Sequence, residues 1–301
     1  MTAVLPTSLA PQTLAKLSSL QLRARHIVEG FVAGLHRSPF HGFSIEFAEH
    51  REYSPGDDLR YVDWKVYSRT DKIYVKQYED ETNLVCYLIV DSSESMTYKS
   101  DEATLSKLEY AQCLAIALSW LVLHQQDAVG MATFDQQLRN VVRPSSQANQ
   151  LNQLVQVLEL APHDKKTQAG LIFHELAQRL PRRGVVVILS DLLDNVDSML
   201  SGLKHLRHAR HDVILWHILD RAELDFPFSQ QTLFQGLEEW PEVMVDAAGL
   251  RHAYQEEFQG FLERVRGGCR GQQIDYQMLV TDQPFDTSLS AYLAQRAARV
   301  K

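Results

Sequence analysis

The sequence predicts an α/β protein built on a doubly wound, mainly parallel sheet. Apolar runs such as Val185-Val186-Val187-Ile188-Leu189 suit strands covered by helices on both faces. After Asp91 such runs alternate with segments of helical period, the pattern of a layered α/β fold. A chain of 301 residues with 45% hydrophobic content can also bury a large core.

Leu14, Leu17, Ile27, Phe31 and Leu35 stand at near-helical spacing, so residues 1–35 read as an amphipathic helical segment that must pack on something. From Phe43 the period changes to two. Phe43, Ile45 and Phe47 alternate with Ser44 and Glu46, and Ile73 and Val75 alternate with Tyr74 and Lys76. The Pro55-Gly56 pair punctuates a turn between them, so residues 36–82 read as a small β-rich region.

The main domain is expected over residues 83–301. Its predicted order is a strand over 84–90, a helix over 105–123, strands over 128–134 and 138–142, and helices over 151–160 and 169–179. A strand over 185–189, a helix over 196–208 and a strand over 213–219 follow. An extension from about residue 221 adds short strands at 232–234 and 243–245, a helix over 254–265, a strand over 274–280 and a last helix over 289–298.

Composition removes several function classes. Thirty basic against 38 acidic residues give a formal charge of -8, which opposes a broad nucleic-acid surface. The basic stretches at Arg182-Arg183 and from Lys204 to His211 are short enough to be solvated helix ends. Cys86, Cys113 and Cys269 are widely spaced, as expected of reduced thiols in a cytoplasmic protein without a cysteine zinc site. Residues 1–20 lack the basic segment and apolar block of a signal peptide. The longest apolar stretch, 113–123, is well short of the ~20 residues a membrane span needs, so no transmembrane segment is expected.

The chemistry concentrates where the strand over 84–90 empties into Asp91-Ser92-Ser93-Glu94-Ser95. Asp91, Ser93 and Ser95 can turn toward one point, and such oxygen donors suit a hard cation. The same residue types also cap helices, which alone could explain them. A nucleophilic serine lacks the Gly-x-Ser-x-Gly elbow, whereas an aspartyl-phosphate nucleophile stays open in principle. In an open α/β sheet, ligands bind beyond the carboxyl ends of the strands where strand order reverses. That rule adds Asp191, after the strand over 185–189, and Thr167, at the start of the helix over 169–179. Asp194 and Thr133 are their competitors, the first farther from its strand end and the second inside a strand.

These residues resemble the metal-ion-dependent adhesion site of von Willebrand factor A domains. Asp91-x-Ser93-x-Ser95 matches the first motif, Thr167 the second and Asp191 the third. A longer stretch, Arg51-x-Tyr53-x-Pro55-Gly56-Asp57-Asp58-x-Arg60-x-x-Asp63-Trp64, resembles the bacterial family called domain of unknown function fifty-eight, which carries a von Willebrand A-like domain. That resemblance implies a MoxR-type AAA+ ATPase as partner and a role in assembling, maturing or remodelling a client protein complex. It also implies Mg²⁺, with Mn²⁺ or Ca²⁺ as alternatives, at Asp91, Ser93, Ser95, Thr167 and Asp191.

Read for themselves, Arg51, Asp57, Asp58, Arg60 and Asp63 with Tyr53 and Trp64 are either a loop braced by ion pairs or a docking surface rich in hot-spot residue types. His205, His208 and His211 recur near a helix end, where charged imidazoles would suit the dipole. His174-Glu175 lacks the second histidine of a zinc protease. No general acid–base pair stands out. The expectation is therefore a non-enzymatic, cation-dependent protein-binding module, with a metal-dependent hydrolase or phosphoryl-transfer enzyme and a structural adaptor with a vestigial site as rivals.

Overall fold

The computed structural model describes residues 11–17, 19–35, 50–52, 74–76, 84–160, 169–235, 242–284 and 289. The chain divides into two compact units, Ser38–Asn83 and Met1–Arg37 with Leu84–Lys301. In the smaller unit β1 (His50–Glu52) pairs antiparallel with β2 (Tyr74–Lys76), Arg51 opposite Val75. The strand expected around Phe43 lies outside the described residues.

The larger unit begins with α1 (Pro11–Leu14) and α2 (Leu20–Leu35). Its sheet strands are β3 (Val85–Asp91), β4 (Ala128–Phe134), β5 (Leu138–Ser145), β6 (Val185–Ser190), β7 (Asp212–Leu219) and, after a separate hairpin, β10 (Asp275–Val280). They stand in the order β10-β7-β6-β3-β4-β5, all parallel except the edge strand β5. β3 is the central strand from which the chain first runs to β4 and β5 and later to β6, β7 and β10. Strand order thus reverses beside β3, which is where open α/β sheets bind ligands. The exposed edge is blunted by Pro144 and by register shifts between β4 and β5.

Alternation along β3 assigns its side chains to two cores. Cys86, Leu88 and Val90 join one, and Val85, Tyr87 and Ile89 the other. The first core holds α3 (Lys107–His124) between the sheet, α4 (Gln150–Glu159) and the N-terminal helices, which contribute Leu14, Leu20, Ala24 and Ile27. α3 is apolar nearly all round, the signature of a helix buried on several sides. It starts at a capping box in which Ser106 Oγ accepts from Glu109 N at 3.1 Å and Glu109 Oε2 accepts from Ser106 N at 3.0 Å. Glu109 also meets Arg23 of α2 at 2.8 Å, so one residue fixes the helix start and ties the N-terminal helix to it.

The second core lies under α5 (Ala169–Arg179), α6 (Val196–His208) and α8 (Ala247–Gly271). α5 and α6 touch through Gly170 and Gly202; a Cβ on Gly202 would stand 2.6 Å from Gly170 O. α7 (Arg221–Asp225) follows β7, and the hairpin of β8 (Gln231–Phe234) and β9 (Val243–Asp246) forms its own two-stranded sheet.

The main difference from expectation is α8. Sequence reading places a helix only over 254–265; Gly249, Gly267, Gly268 and Gly271, outside those bounds, are residues of low helix propensity. The helix runs 25 residues, capped by Asp246 and held by Val265 and Cys269 in the second core. Tertiary packing overrides propensity there. The final helix expected over 289–298 lies, beyond Leu289, outside the described residues. Among the described residues no helix is long and apolar enough to cross a membrane.

Candidate functional site

Asp91, the last residue of β3, is only 1% exposed although it carries a carboxylate. Ser92 donates to Phe134 O through its backbone N–H at 2.7 Å and its hydroxyl at 3.0 Å, which pins the loop to β4. Ser93 N donates to Asp91 Oδ1 at 3.0 Å, turning the chain back over the strand end. A 3₁₀ turn over Glu94–Thr97 follows. Ser93 sits at its start without making a side-chain cap; its Oγ lies 3.1 Å from Ser95 Oγ instead. The capping explanation of Ser93 is thereby corrected, and the cap of α3 is made by Ser106.

The neighbouring strand completes the floor. Val90 pairs with Leu189, so Asp91 and Ser190 end side by side. Ser190 Oγ donates to Asp91 Oδ2 at 2.6 Å and accepts from Leu192 N at 3.0 Å. Leu192 adopts φ 57°, a left-handed conformation that β-turn chemistry usually gives to glycine, and its side chain is buried. Asp191, 1% exposed, accepts from Leu193 N at 3.3 Å through Oδ1. Asp194 is more exposed than Asp191 and bonds Asn195 N, so it does not compete for the site.

Asp191 is anchored from two directions. Its carbonyl oxygen lies 2.9 Å from His217 Nε2, and His217 Nδ1 lies 2.8 Å from Tyr276 OH. A carbonyl only accepts, so Nε2 carries the hydrogen and Nδ1 accepts from the tyrosine. Burial lowers the His217 pKa to about 4, which keeps the ring neutral as this pattern requires. On the other side Lys107 Nζ donates to Asp191 Oδ2 at 2.7 Å and to Glu223 Oε1 at 2.6 Å. The Lys107 side chain is fully buried and lies 5.8 Å from the centre of the Tyr98 ring. Glu223 in turn accepts from Asp220 N at 2.7 Å, and Asp220 Oδ2 accepts from Ser100 N at 3.1 Å.

Burial dominates the electrostatics. It pushes the Asp91 carboxyl up to about 7, the charge of Asp191 adds to the rise, and the bonds from Ser190 and Ser93 oppose it. For Lys107, burial works against the charged form, but the charges of Asp191 and Glu223 outweigh it and hold the ammonium above the usual lysine value. Burial raises Glu223, with Lys107 pulling back. Burial likewise raises Tyr98 to about 12.

Four predicted residues, Asp91, Ser93, Ser95 and Asp191, therefore meet at one sheet edge. Thr167 lies outside the described residues, as do Tyr53, Asp57, Asp58, Arg60, Asp63 and Trp64; of Arg51 only the backbone in β1 is described. Thr133 is buried in β4, and its hydroxyl has no hydrogen-bond partner among the described residues. His211 corrects the dipole expectation. It is 2% exposed, packs edge-on against Tyr87, and burial lowers its pKa, so it is a neutral core residue. His174 packs on His205, and Glu175 pairs with Arg179 at 2.8 Å.

Sequence reading missed Lys107, Glu223, Ser190 and His217. One signal pointed to Lys107: it opens a long helix, where a cation opposes the helix dipole unless carboxylates face it. Among the described residues no group of three His, Cys, Asp or Glu side chains is placed to hold a metal ion. The donor set present is one buried carboxylate with two hydroxyls, which fits a small hard cation that keeps part of its water shell.

A family model described as "Protein of unknown function DUF58" matches residues 49–260. The chain belongs to this family. The match takes in every site residue from Asp91 to Glu223. The DUF58 chain is similar to the uncharacterized proteins Rv1480 of Mycobacterium tuberculosis (strain ATCC 25618 / H37Rv) and Mb1516 of Mycobacterium bovis. Each is 27% identical over 231 residues, covering 76% of this chain and 72% of the relative. Among solved structures, the conserved hypothetical protein BatB from Bacteroides thetaiotaomicron aligns at TM-score 0.49 with 15% identity, over 71% of this chain and 99% of that one. An aerotolerance-related membrane protein from Bacteroides fragilis aligns at TM-score 0.45 with 16% identity, over 69% and 96%. Neither score bears on the residues of the site.

Proposed function

We propose that this DUF58 protein is a divalent-cation-dependent protein-binding module of von Willebrand A type. It works with a MoxR-type AAA+ ATPase on a client protein complex. The observation that carries the reading is Asp91: a fully buried carboxylate, beside a second one, at the strand end where order reverses, with the Ser93 and Ser95 hydroxyls facing each other next to it. A buried anion of this kind is stabilised by a cation more than by any neutral partner.

Asp91, Ser93 and Ser95 would hold Mg²⁺, with Mn²⁺ or Ca²⁺ in its place, and Thr167 and Asp191 would complete the set directly or through water. When bound, the ion supplies an open coordination position for an acidic side chain of the partner. Leu193, two residues past Asp191 and 43% exposed, offers apolar contact beside it. A binding role is favoured over catalysis because His217, the imidazole touching Asp191, spends both ring nitrogens on Asp191 O and Tyr276 OH and is not free to act as a base.

The test is calorimetric titration of Mg²⁺ into wild type and Asp91→Ala, paired with pull-down of the MoxR-type ATPase in Mg²⁺ and in EDTA. Metal-dependent capture by wild type only is expected. Equal capture in all four conditions would overturn the reading. One observation favours a structural adaptor with a vestigial site instead: Lys107 already neutralises Asp191. Capture that survives chelation but fails in Arg60→Ala would support that second reading.

A further inference from the structure

The cluster of Asp91, Asp191 and the partly buried Glu223 holds one cation among the described residues, Lys107. Lys107 Nζ lies within 2.7 Å of Asp191 Oδ2 and 2.6 Å of Glu223 Oε1. Asp91 has no cation among the described residues; its two oxygens accept only from neutral groups, Ser93 N and Ser190 Oγ. The two halves of the site thus differ in kind. The Asp191 half is compensated by protein, and the Asp91 half is not.

We propose that Lys107 is an internal cation that sets the affinity of this site for a divalent ion, by holding Asp191 in an ion pair so that Asp91 is the carboxylate that binds the ion directly and Asp191 reaches it only through water. The inference rests on the cation-binding reading above and deepens it. Two consequences follow from Coulomb's law in a buried setting. The ammonium repels a second cation at the same edge, which weakens ion binding. A bound ion also meets fewer anionic ligands, keeps more of its positive charge and draws an acidic partner side chain more strongly.

The geometry makes Lys107 difficult to move. Its stem is fully buried, it is the first residue of α3, and the capping box of Ser106 and Glu109 fixes the helix start. Glu223 is fixed as well, because its Oε2 accepts from Asp220 N in the capping box of α7. The pair Lys107–Glu223 therefore joins α7 to α3, with the Lys107 ammonium between Glu223 and Asp191.

The decisive variant is Lys107→Met/Glu223→Gln. It removes one positive and one negative charge, so the net charge of the cluster is unchanged, and Gln keeps an acceptor for Asp220 N. Mg²⁺ affinity is read by calorimetry and by the Mg²⁺-induced rise in thermal midpoint. Binding about tenfold or more tighter than wild type is expected, since a freed carboxylate now faces the ion. Equal or weaker binding by a folded double variant overturns the inference while leaving the cation reading intact. Absence of Mg²⁺ binding by both proteins overturns the two together, and binding by the double variant alone supports Lys107 as the excluding charge.

A measurement on the unaltered protein stands beside this, in case the variant does not fold. With ¹⁵N-lysine labelling, the buried Lys107 ammonium should give a slowly exchanging resonance that persists when Mg²⁺ is saturating. Release of that ammonium to solvent exchange on Mg²⁺ addition would overturn the inference, because Asp191 would then have changed partners.

Discussion

Ser190 donates its hydroxyl hydrogen to Asp91 Oδ2 at 2.6 Å, joining the carboxyl ends of β6 and β3. The bond matters because Ser190 Oγ also accepts from Leu192 N, the residue whose left-handed backbone swings Asp191 into the site. One hydroxyl thus fixes the orientation of Asp91 and the path of the neighbouring loop.

Ser190→Ala should break both links. Loss of a buried hydrogen bond that leaves Leu192 N unpaired costs about 1–3 kcal/mol, to be read from urea unfolding. Asp91 also loses a donor that favours its charged form, so the pH at which Mg²⁺ begins to bind should move upward. An unchanged pH profile would contradict the assigned role of the hydroxyl.

The raised Asp91 carboxyl makes stability depend on pH in a defined direction. Its value is about 7 in the folded protein against the usual 3.8, so between these pH values the folded state holds a proton that the unfolded state has released. The Asp91 contribution to stability without metal should therefore be fully present below about 4, fall as pH rises through that window, and level off above about 7. Asp91→Asn should flatten the slope, and stabilisation by Mg²⁺ should grow over the same window as protons stop competing. Urea midpoints at a series of pH values, with and without Mg²⁺, decide the matter.

Removing the Lys107 charge alone leaves Asp191 and Glu223 buried without their cation. Lys107→Met should lose about 3–5 kcal/mol, the usual penalty of breaking a buried ion pair from one side. The additional Glu223→Gln change should recover part of that loss. Recovery is the informative result, since mere loss of packing at Lys107 would not be restored by an alteration in α7.

The contact between α5 and α6 supplies a control away from the electrostatics. A Cβ at Gly202 would lie 2.6 Å from Gly170 O and 2.8 Å from Phe173 Cβ, so Gly202→Ala should cost about 1–3 kcal/mol through overpacking. Gly260 in α8 faces nothing within 4 Å, and Gly260→Ala should stabilise by about 0.5–1 kcal/mol through helix propensity alone. Thermal unfolding of the two variants should shift in opposite directions.

Local periodicity alone located most of this fold. The strand Ala128–Phe134 and the helices Ala169–Arg179 and Val196–His208 fall where the apolar spacing puts them, because burial on one face or two leaves a repeat in the chain. It also singled out Asp91, Ser93, Ser95 and Asp191, since strand ends in a parallel sheet open onto one edge. Periodicity failed at α8, whose glycines hide a helix stabilised by distant packing, and at His211, whose burial depends on Tyr87.

What only the tertiary structure decided is which group neutralises which. Lys107 lies 84 residues from Asp191 and 116 from Glu223 in the chain, and Ser190 lies 99 from Asp91. No local pattern records such pairings, because they follow from strand order and from the closing of the edge by α3 and α7. The sequence by itself determined the sheet, its charged edge and the residues that could serve a cation. The fold decided that Asp191 already holds an ammonium while Asp91 holds none among the described residues, because burial there leaves each charge only the partner its neighbouring strands and helices bring.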